Sequence, residues 1–167
     1  KEDLVSEGIK KDKIFVTGNT VIDSIMLNLK NLDLSKEKMV EVESIISKKI
    51  SFDWKTKKFI LITAHRRENF GKNFENIFNS IRELANKYPD VNFVYPVHPN
   101  PNVKNLAFTI LDEISNVFLI DPMGYQEFTL LMKYCYFIMT DSGGIQEEAP
   151  SLGKPVLVMR DNTERPE

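Results

Sequence analysis

Short runs of β-branched and aromatic residues alternate along this chain with longer segments whose apolar residues recur at helical spacing. That alternation leaves few folds open, because it is the signature of a parallel sheet wrapped by helices. Strands are predicted over residues 13–17, 59–63, 91–95, 117–120, 137–140 and 155–158. The run Phe59-Ile-Leu-Ile-Thr63 is continuously apolar, as a central strand buried on both faces must be. Between the strands, Asn19 is placed to cap a helix carrying Val21, Ile22, Ile25, Met26 and Leu29, and a second helix is expected over about 35–49. Asn73 is expected to cap a helix with Phe74, Ile77, Phe78, Ile81, Leu84 and Ala85 in one stripe, and Asn100-Pro101 to open the next. Helices over 126–133 and 144–152 complete the series, the last stopped by Gly153 and Pro155. The reading is an α/β, doubly wound, Rossmann-like sheet of about six parallel strands, with residues 1–167 as one domain.

Composition removes several function classes. At 167 residues the chain matches the usual domain length of roughly 100–200. A content of 42% hydrophobic and 28% charged residues is that of an ordinary globular protein, and a net charge of −2 argues against a nucleic-acid-binding surface. No apolar run approaches the ~18 residues of a membrane span. A lone cysteine, Cys135, excludes an internal disulfide framework and leads us to expect a reducing, cytoplasmic setting. Its default role is a small buried hydrophobe, whereas Trp54, in a polar connection, is expected to pack on the surface. With two histidines there is little from which to build a metal site, and nothing suggests a redox cofactor. The start at Lys1 rather than at a methionine raises the expectation of a piece of a larger protein.

In open α/β sheets, ligands bind outside the carboxyl ends of the strands, so the polar residues there carry the functional information. They are Thr17-Gly-Asn-Thr20, Ala64-His-Arg-Arg-Glu-Asn69, Val97-His-Pro-Asn-Pro101 and Asp141-Ser-Gly-Gly-Ile-Gln-Glu-Glu148. Both histidines of the chain, His65 and His98, lie in this set. In the last loop, Gly143 and Gly144 let the backbone approach a phosphate, and Ser142 can cap a helix or donate to a phosphate oxygen. Glu148 shares a helical face with Gly144 and is placed to accept both hydroxyls of a ribose, while Glu147 is expected to be exposed. The blander alternative is that the two glycines only make a tight strand-to-helix turn. Likewise His65-Arg66-Arg67, with Lys72 behind, is either an anion-binding cluster or a solvated charge run, and His98 is either functional or a packed histidine bonding a carbonyl.

Taken together and in order, Thr-Gly-Asn-Thr-Val-Ile-Asp at 17–23, Thr-Ala-His-Arg-Arg-Glu-Asn at 63–69 and Tyr-Pro-Val-His-Pro-Asn-Pro at 95–101 make a specific set. They are followed by Thr-Asp-Ser-Gly-Gly-Ile-Gln-Glu-Glu-Ala-Pro-Ser-Leu-Gly-Lys-Pro-Val-Leu at 140–157 and by a segment ending Thr-Glu-Arg-Pro-Glu at 163–167. This set closely resembles the C-terminal domain of the non-hydrolysing UDP-N-acetylglucosamine 2-epimerases, over essentially the whole chain. The resemblance implies one half of a GT-B-type, two-domain architecture with its active site in the cleft, no cofactor, and a homodimer when intact. It also implies that Ser142, Gly143 and Gly144 hold the diphosphate of UDP, that Glu148 binds the ribose and Phe128 borders the uracil, and that His65 is the catalytic histidine beside the leaving diphosphate. Arg66 and His98 match positions that contact an activating second UDP-sugar in bacterial members.

The chemistry that this resemblance implies is an elimination. C2 of the sugar carries no acidic proton, so UDP leaves C1 as C2–H is removed, a glycal forms, and UDP re-adds after protonation of the other face. The carboxylates that move the C2 proton in that family belong to the N-terminal domain, so this chain is expected to bind the nucleotide without turning over alone. Two other functions remain open at this point: the donor domain of a GT-B glycosyltransferase, and a non-catalytic UDP-sugar-binding module.

Overall fold

Five parallel strands carry the most apolar runs of the chain, in the spatial order β3-β2-β1-β4-β5. They are β1 (Phe59–Thr63), β2 (Asn92–Pro96), β3 (Val117–Ile120), β4 (Phe137–Thr140) and β5 (Val156–Val158) in a computed structural model that describes residues 1–165. Pro166 and Glu167, the end of the Thr-Glu-Arg-Pro-Glu motif, lie outside the described residues. The principal helices are α2 (Thr20–Leu34), α3 (Lys36–Lys49), α4 (Lys72–Lys87), α5 (Pro101–Leu111), α6 (Tyr125–Tyr134) and α7 (Gly143–Ser151), after a short α1 (Glu2–Ser6). None is long and apolar enough to cross a membrane.

The period-two alternation of β1 divides the interior into two cores. Phe59 and Leu61 pack with Ile25, Leu29 and Leu32 of α2, Val42 and Ile46 of α3, Leu130 and Leu131 of α6, and Ile145 and Ala149 of α7. Ile60 and Ile62 point the other way, into Phe74, Phe78, Ile81 and Ala85 of α4 and Val103, Ala107 and Leu111 of α5. Helices thus cover both faces, and the strand order reverses between β1 and β4. Two starts follow the capping logic: Asn19 Oδ1 accepts from the Val21 N–H at 3.1 Å, and Asn100 Oδ1 from the Asn102 N–H at 3.0 Å, with Pro101 in the first turn.

Four expectations fail. Residues 13–17 form no strand: Lys11–Lys13 is a 3-10 turn, and Phe15 and Val16 are 82% and 77% exposed, so the sheet has five strands rather than about six. The β propensity of Ile14-Phe15-Val16 describes side chains that suit a pleated surface, and by itself supplies no neighbour to pair with. Asn73 does not cap α4. The helix begins at Lys72 behind Gly71, whose φ of +81° lets the chain reverse where a side chain would be strained. Trp54 is 2% exposed, its indole Nε1 donating to Ser47 Oγ at 3.1 Å and its ring edge-on to Tyr134. Last, the buried stripe of α2 is Ile25, Leu29 and Leu32, which leaves Val21 and Met26 exposed.

Candidate functional site

The switch between β1 and β4 brings two of the polar loops side by side. The register pairs Thr63 with Thr140, so the next residues of each strand, Ala64-His65-Arg66 and Asp141-Ser142, continue next to one another. Asp141 is fully buried and ties the loops together. Its Oδ2 accepts from the His65 N–H at 2.8 Å, the Arg66 N–H at 2.7 Å and Asn69 Nδ2 at 3.2 Å. Its Oδ1 accepts no hydrogen bond among the described residues, and His65 Nδ1 lies 3.4 Å from it. The imidazole of His98, from the loop after β2, stacks on that of His65 with ring centres 5.7 Å apart and planes 17° from parallel. His98 Nδ1 accepts the Asn100 N–H at 3.2 Å, so it bonds an amide rather than a carbonyl. Below them the buried Tyr95 hydroxyl donates to the Ala64 carbonyl at 2.7 Å; burial, and then the charge of Asp141, push its pKa up.

Helix α7 starts directly after these strand ends. Ser142 occupies its N-cap position but makes no side-chain cap, so its hydroxyl is free to bond elsewhere. Neither Gly143 nor Gly144 has a positive φ, so the turn itself does not demand glycine there. A Cβ on Gly143 would lie 2.6 Å from Glu164 Oε1 and 3.3 Å from Arg66 Nη2, the ends of two flexible side chains. With no side chains on its first two residues, the helix presents first-turn N–H groups that lack intrahelical acceptors, and its dipole favours an anion there. A Cβ on Gly144 would sit 3.5 Å from Glu148 Oε1, which places Glu148 on the same face, as the helical spacing predicts. Burial, and then the charge of Glu147, hold the Glu148 carboxyl above the usual range, and burial, and then the charge of Glu148, raise the pKa of Tyr125 at the start of α6. Phe128, one turn further along α6, is half-buried against the first core. Glu147 is not the free surface group expected: it accepts from Asn19 Nδ2 at 2.8 Å and pairs with Arg165.

The segment after β5 also reaches the site. Glu164 accepts from Arg66 Nη2 at 3.2 Å and Arg160 Nη1 at 2.6 Å, while Arg160 Nε donates to Glu68 at 2.6 Å. The Glu164 backbone N–H, and then Arg160, hold its carboxyl down at about 2. The structure thus brings His65, Arg66, His98, Ser142, Gly143 and Gly144 together at the carboxyl ends of β1, β2 and β4, with Glu148 down the face of α7. Sequence reasoning gave no role to Asp141, Asn69, Arg160 or Glu164, although Asp141 and Asn69 fall in its strand-end loops and Glu164 in the Thr-Glu-Arg-Pro-Glu segment. Asp141 had the clearest signal, as an acid directly after a buried strand and before the glycine pair.

A crevice outside the carboxyl ends of parallel strands, at the point where their order reverses, is where sheets of this kind take ligands. The molecule is a Rossmann-like α/β domain whose switch point lies between β1 and β4. The model of the UDP-N-acetylglucosamine 2-epimerase family matches residues 1–167, and the chain belongs to that family. It is 52% identical over 167 residues to the UDP-N-acetylglucosamine 2-epimerase of Neisseria meningitidis, covering 100% of this chain and 44% of that protein. The Campylobacter jejuni enzyme of the same name is 51% identical, over 99% of this chain and 43% of its own length. Among solved structures, the Neisseria meningitidis UDP-GlcNAc 2-epimerase bound to UDP-GlcNAc superposes with a TM-score of 0.84 at 51% identity, over 99% of this chain and 43% of the other. The Methanocaldococcus jannaschii enzyme in complex with UDP-GlcNAc and UDP gives 0.79 at 35% identity, over 99% and 44%. The chain spans less than half the length of these relatives.

Proposed function

We propose that this chain is the UDP-binding domain of a UDP-N-acetylglucosamine 2-epimerase that interconverts UDP-GlcNAc and UDP-ManNAc. The single observation that carries the reading is the bare N-terminus of α7, with an uncapped Ser142 hydroxyl and with Glu148 on the Gly144 face. The amides of Gly143 and Gly144 and the Ser142 hydroxyl take the diphosphate, Glu148 takes the ribose hydroxyls, and Phe128 borders the base. The Glu164 carboxylate, 2.6 Å from where a Gly143 Cβ would stand, marks a spot that accommodates an anionic oxygen and that the diphosphate takes over.

In the reaction, the C1–O bond to UDP breaks as C2–H is removed, and its electrons leave on the diphosphate while the C1–C2 double bond forms. His65, at the rim beside Arg66, donates to that growing charge. Donors aimed where charge develops are worth more in the transition state than in the ground state. Protonation of C2 from the opposite face and re-addition of UDP give the epimer. The carboxylates for the C2 proton come from a second, N-terminal domain that completes the GT-B cleft, in a homodimeric cytoplasmic enzyme. Arg66 and His98 are then placed to meet a second UDP-sugar as effector.

Two measurements test this. UDP should bind the 167-residue chain in a calorimetric titration, and the full-length enzyme given UDP-GlcNAc without acceptor should form UDP-ManNAc. UDP-ManNAc formed by the 167-residue chain alone would refute the division of labour. Failure of the full-length enzyme to form it without an acceptor would favour a glycosyltransferase.

A further inference from the structure

We propose that Asp141 is a positioning residue, whose buried carboxylate fixes the orientation of His65 and keeps a proton on its Nδ1, so that Nε2 is the nitrogen offered to the cleft. For the reaction this rests on the function proposed above; for the proton placement it does not.

The argument is one of acceptor bookkeeping. A carboxylate taken fully out of water must have its lone pairs satisfied. Three donors meet at Oδ2 of Asp141, two of them backbone N–H groups of the very loop that carries His65. Oδ1 is equally buried and has none, yet the one ring nitrogen beside it is His65 Nδ1, at 3.4 Å. That is slightly long for an N–H···O bond, and a small rotation of the half-exposed ring closes it. Because a carboxylate only accepts, Nδ1 must donate, and which imidazole nitrogen bears the proton is set by the bond that the other one makes. The second restraint is His98: its ring stacks on that of His65 and limits rotation about the side chain. Arg66, the other charged group at the rim, is turned away to Glu164 and to the Asp141 carbonyl, so it does not compete for Oδ1. The result is a carboxylate–imidazole pair: with both ring nitrogens protonated, His65 donates through Nε2 to the leaving diphosphate while its Nδ1–H stays on the buried carboxylate of Asp141.

The chain has only two histidines, so ring-nitrogen NMR of a 15N-labelled sample reads each directly. When neutral, wild-type His65 should carry its proton on Nδ1. His98 should carry its proton on Nε2, because its Nδ1 already accepts from Asn100. In Asp141→Asn the amide oxygen keeps the two backbone N–H bonds and the NH₂ faces Nδ1, so His65 should switch to the Nε2–H form while His98 stays put. An Nε2–H form of His65 in the wild type would overturn the proposal with no variant needed, as would a folded Asp141→Asn chain whose His65 does not switch. Should the variant fail to fold, the wild-type proton placement decides. In the full-length enzyme, Asp141→Asn should lower kcat by at least about tenfold with KM nearly unchanged, and should cost little more in a His65→Asn background. Full additivity of the two would overturn the shared role. A His65 switch with turnover intact in both single variants would leave the pairing standing and refute the catalytic role of His65 instead.

Discussion

Gly143→Ala separates the two reasons a glycine is found at the head of a helix. Gly143 has an ordinary helical φ, so alanine meets no backbone strain there. The new methyl would stand 2.6 Å from Glu164 Oε1 and 3.3 Å from Arg66 Nη2, both at the ends of flexible, partly exposed side chains that can swing aside. The folded chain should therefore be unchanged or gain up to about 1 kcal/mol, since alanine restricts the unfolded chain. Binding should move the other way. Cα–Cβ bonds tilt toward a helix N-terminus, the direction in which the first N–H groups also point. A phosphate oxygen hydrogen-bonded to those amides at about 2.9 Å thus competes with the methyl for the space that the Glu164 carboxylate uses. Loss of one hydrogen bond to a charged group is worth about 1.5–3 kcal/mol, or roughly 10- to 150-fold in UDP affinity. Urea unfolding gives the first quantity and calorimetric UDP titration the second. A stable variant that binds UDP within threefold of wild type would mean that no phosphate oxygen uses the space beside Gly143, and the diphosphate assignment would fall.

Glu148→Gln should weaken UDP binding by about 1.5–3 kcal/mol through loss of a charged acceptor, against about 0.5 kcal/mol for Glu147→Gln, whose cost appears instead as a lower melting temperature because it unties Asn19 and Arg165; equal calorimetric losses would put α7 in another register. Burial raises the Glu148 pKa, so the ionised form opposes folding and that opposition disappears as pH falls through the raised value, whereas the ribose contact needs the ionised form; the affinity advantage of wild type over Glu148→Gln should therefore shrink as pH falls from neutral through the carboxylate range, and a ratio constant down to the pH at which Glu148 is protonated would refute the contact. Trp54→Ala should lose about 3–5 kcal/mol in urea unfolding, where a loss below about 1 would contradict its burial. His65→Asn in the full-length enzyme should lower kcat by about 10²–10³-fold with little change in UDP affinity; near-normal turnover would make it a packed strand-end histidine.

What the sequence made legible in the fold follows from what the buried elements require. Phe59 to Ile62 had to be apolar on both faces, and the alternate burial of Phe59 with Leu61 and of Ile60 with Ile62 is that requirement met. Asn19 and Asn100 were readable as caps because a side-chain acceptor at a helix start has a local purpose. Residues 14–16 and Trp54 were misread for one shared reason: local composition does not report the partner. Ile14-Phe15-Val16 has the makings of a strand and no strand beside it. Trp54 has Asp53 and Lys55 as neighbours in sequence, but Ser47 and Tyr134 as neighbours in space.

The site divides along the same line. Its loops were legible because each follows an apolar run, and strand ends are where polar residues can be of use; Ser142, Gly143 and Gly144 also fall within a single segment whose helical spacing to Glu148 is fixed by geometry. What joins one loop to another was not legible. Between Thr63 and Thr140 the chain runs out through β2 and β3 before returning, and nothing in that path announces that β4 will lie against β1 rather than at a sheet edge. Only once that register is known does Asp141 stop being one acid among many and become the buried acceptor of the His65 and Arg66 amides. The residues proposed for the chemistry can thus be picked out from their own surroundings in sequence, while those that hold them in place are defined by strand order and appear only with the fold.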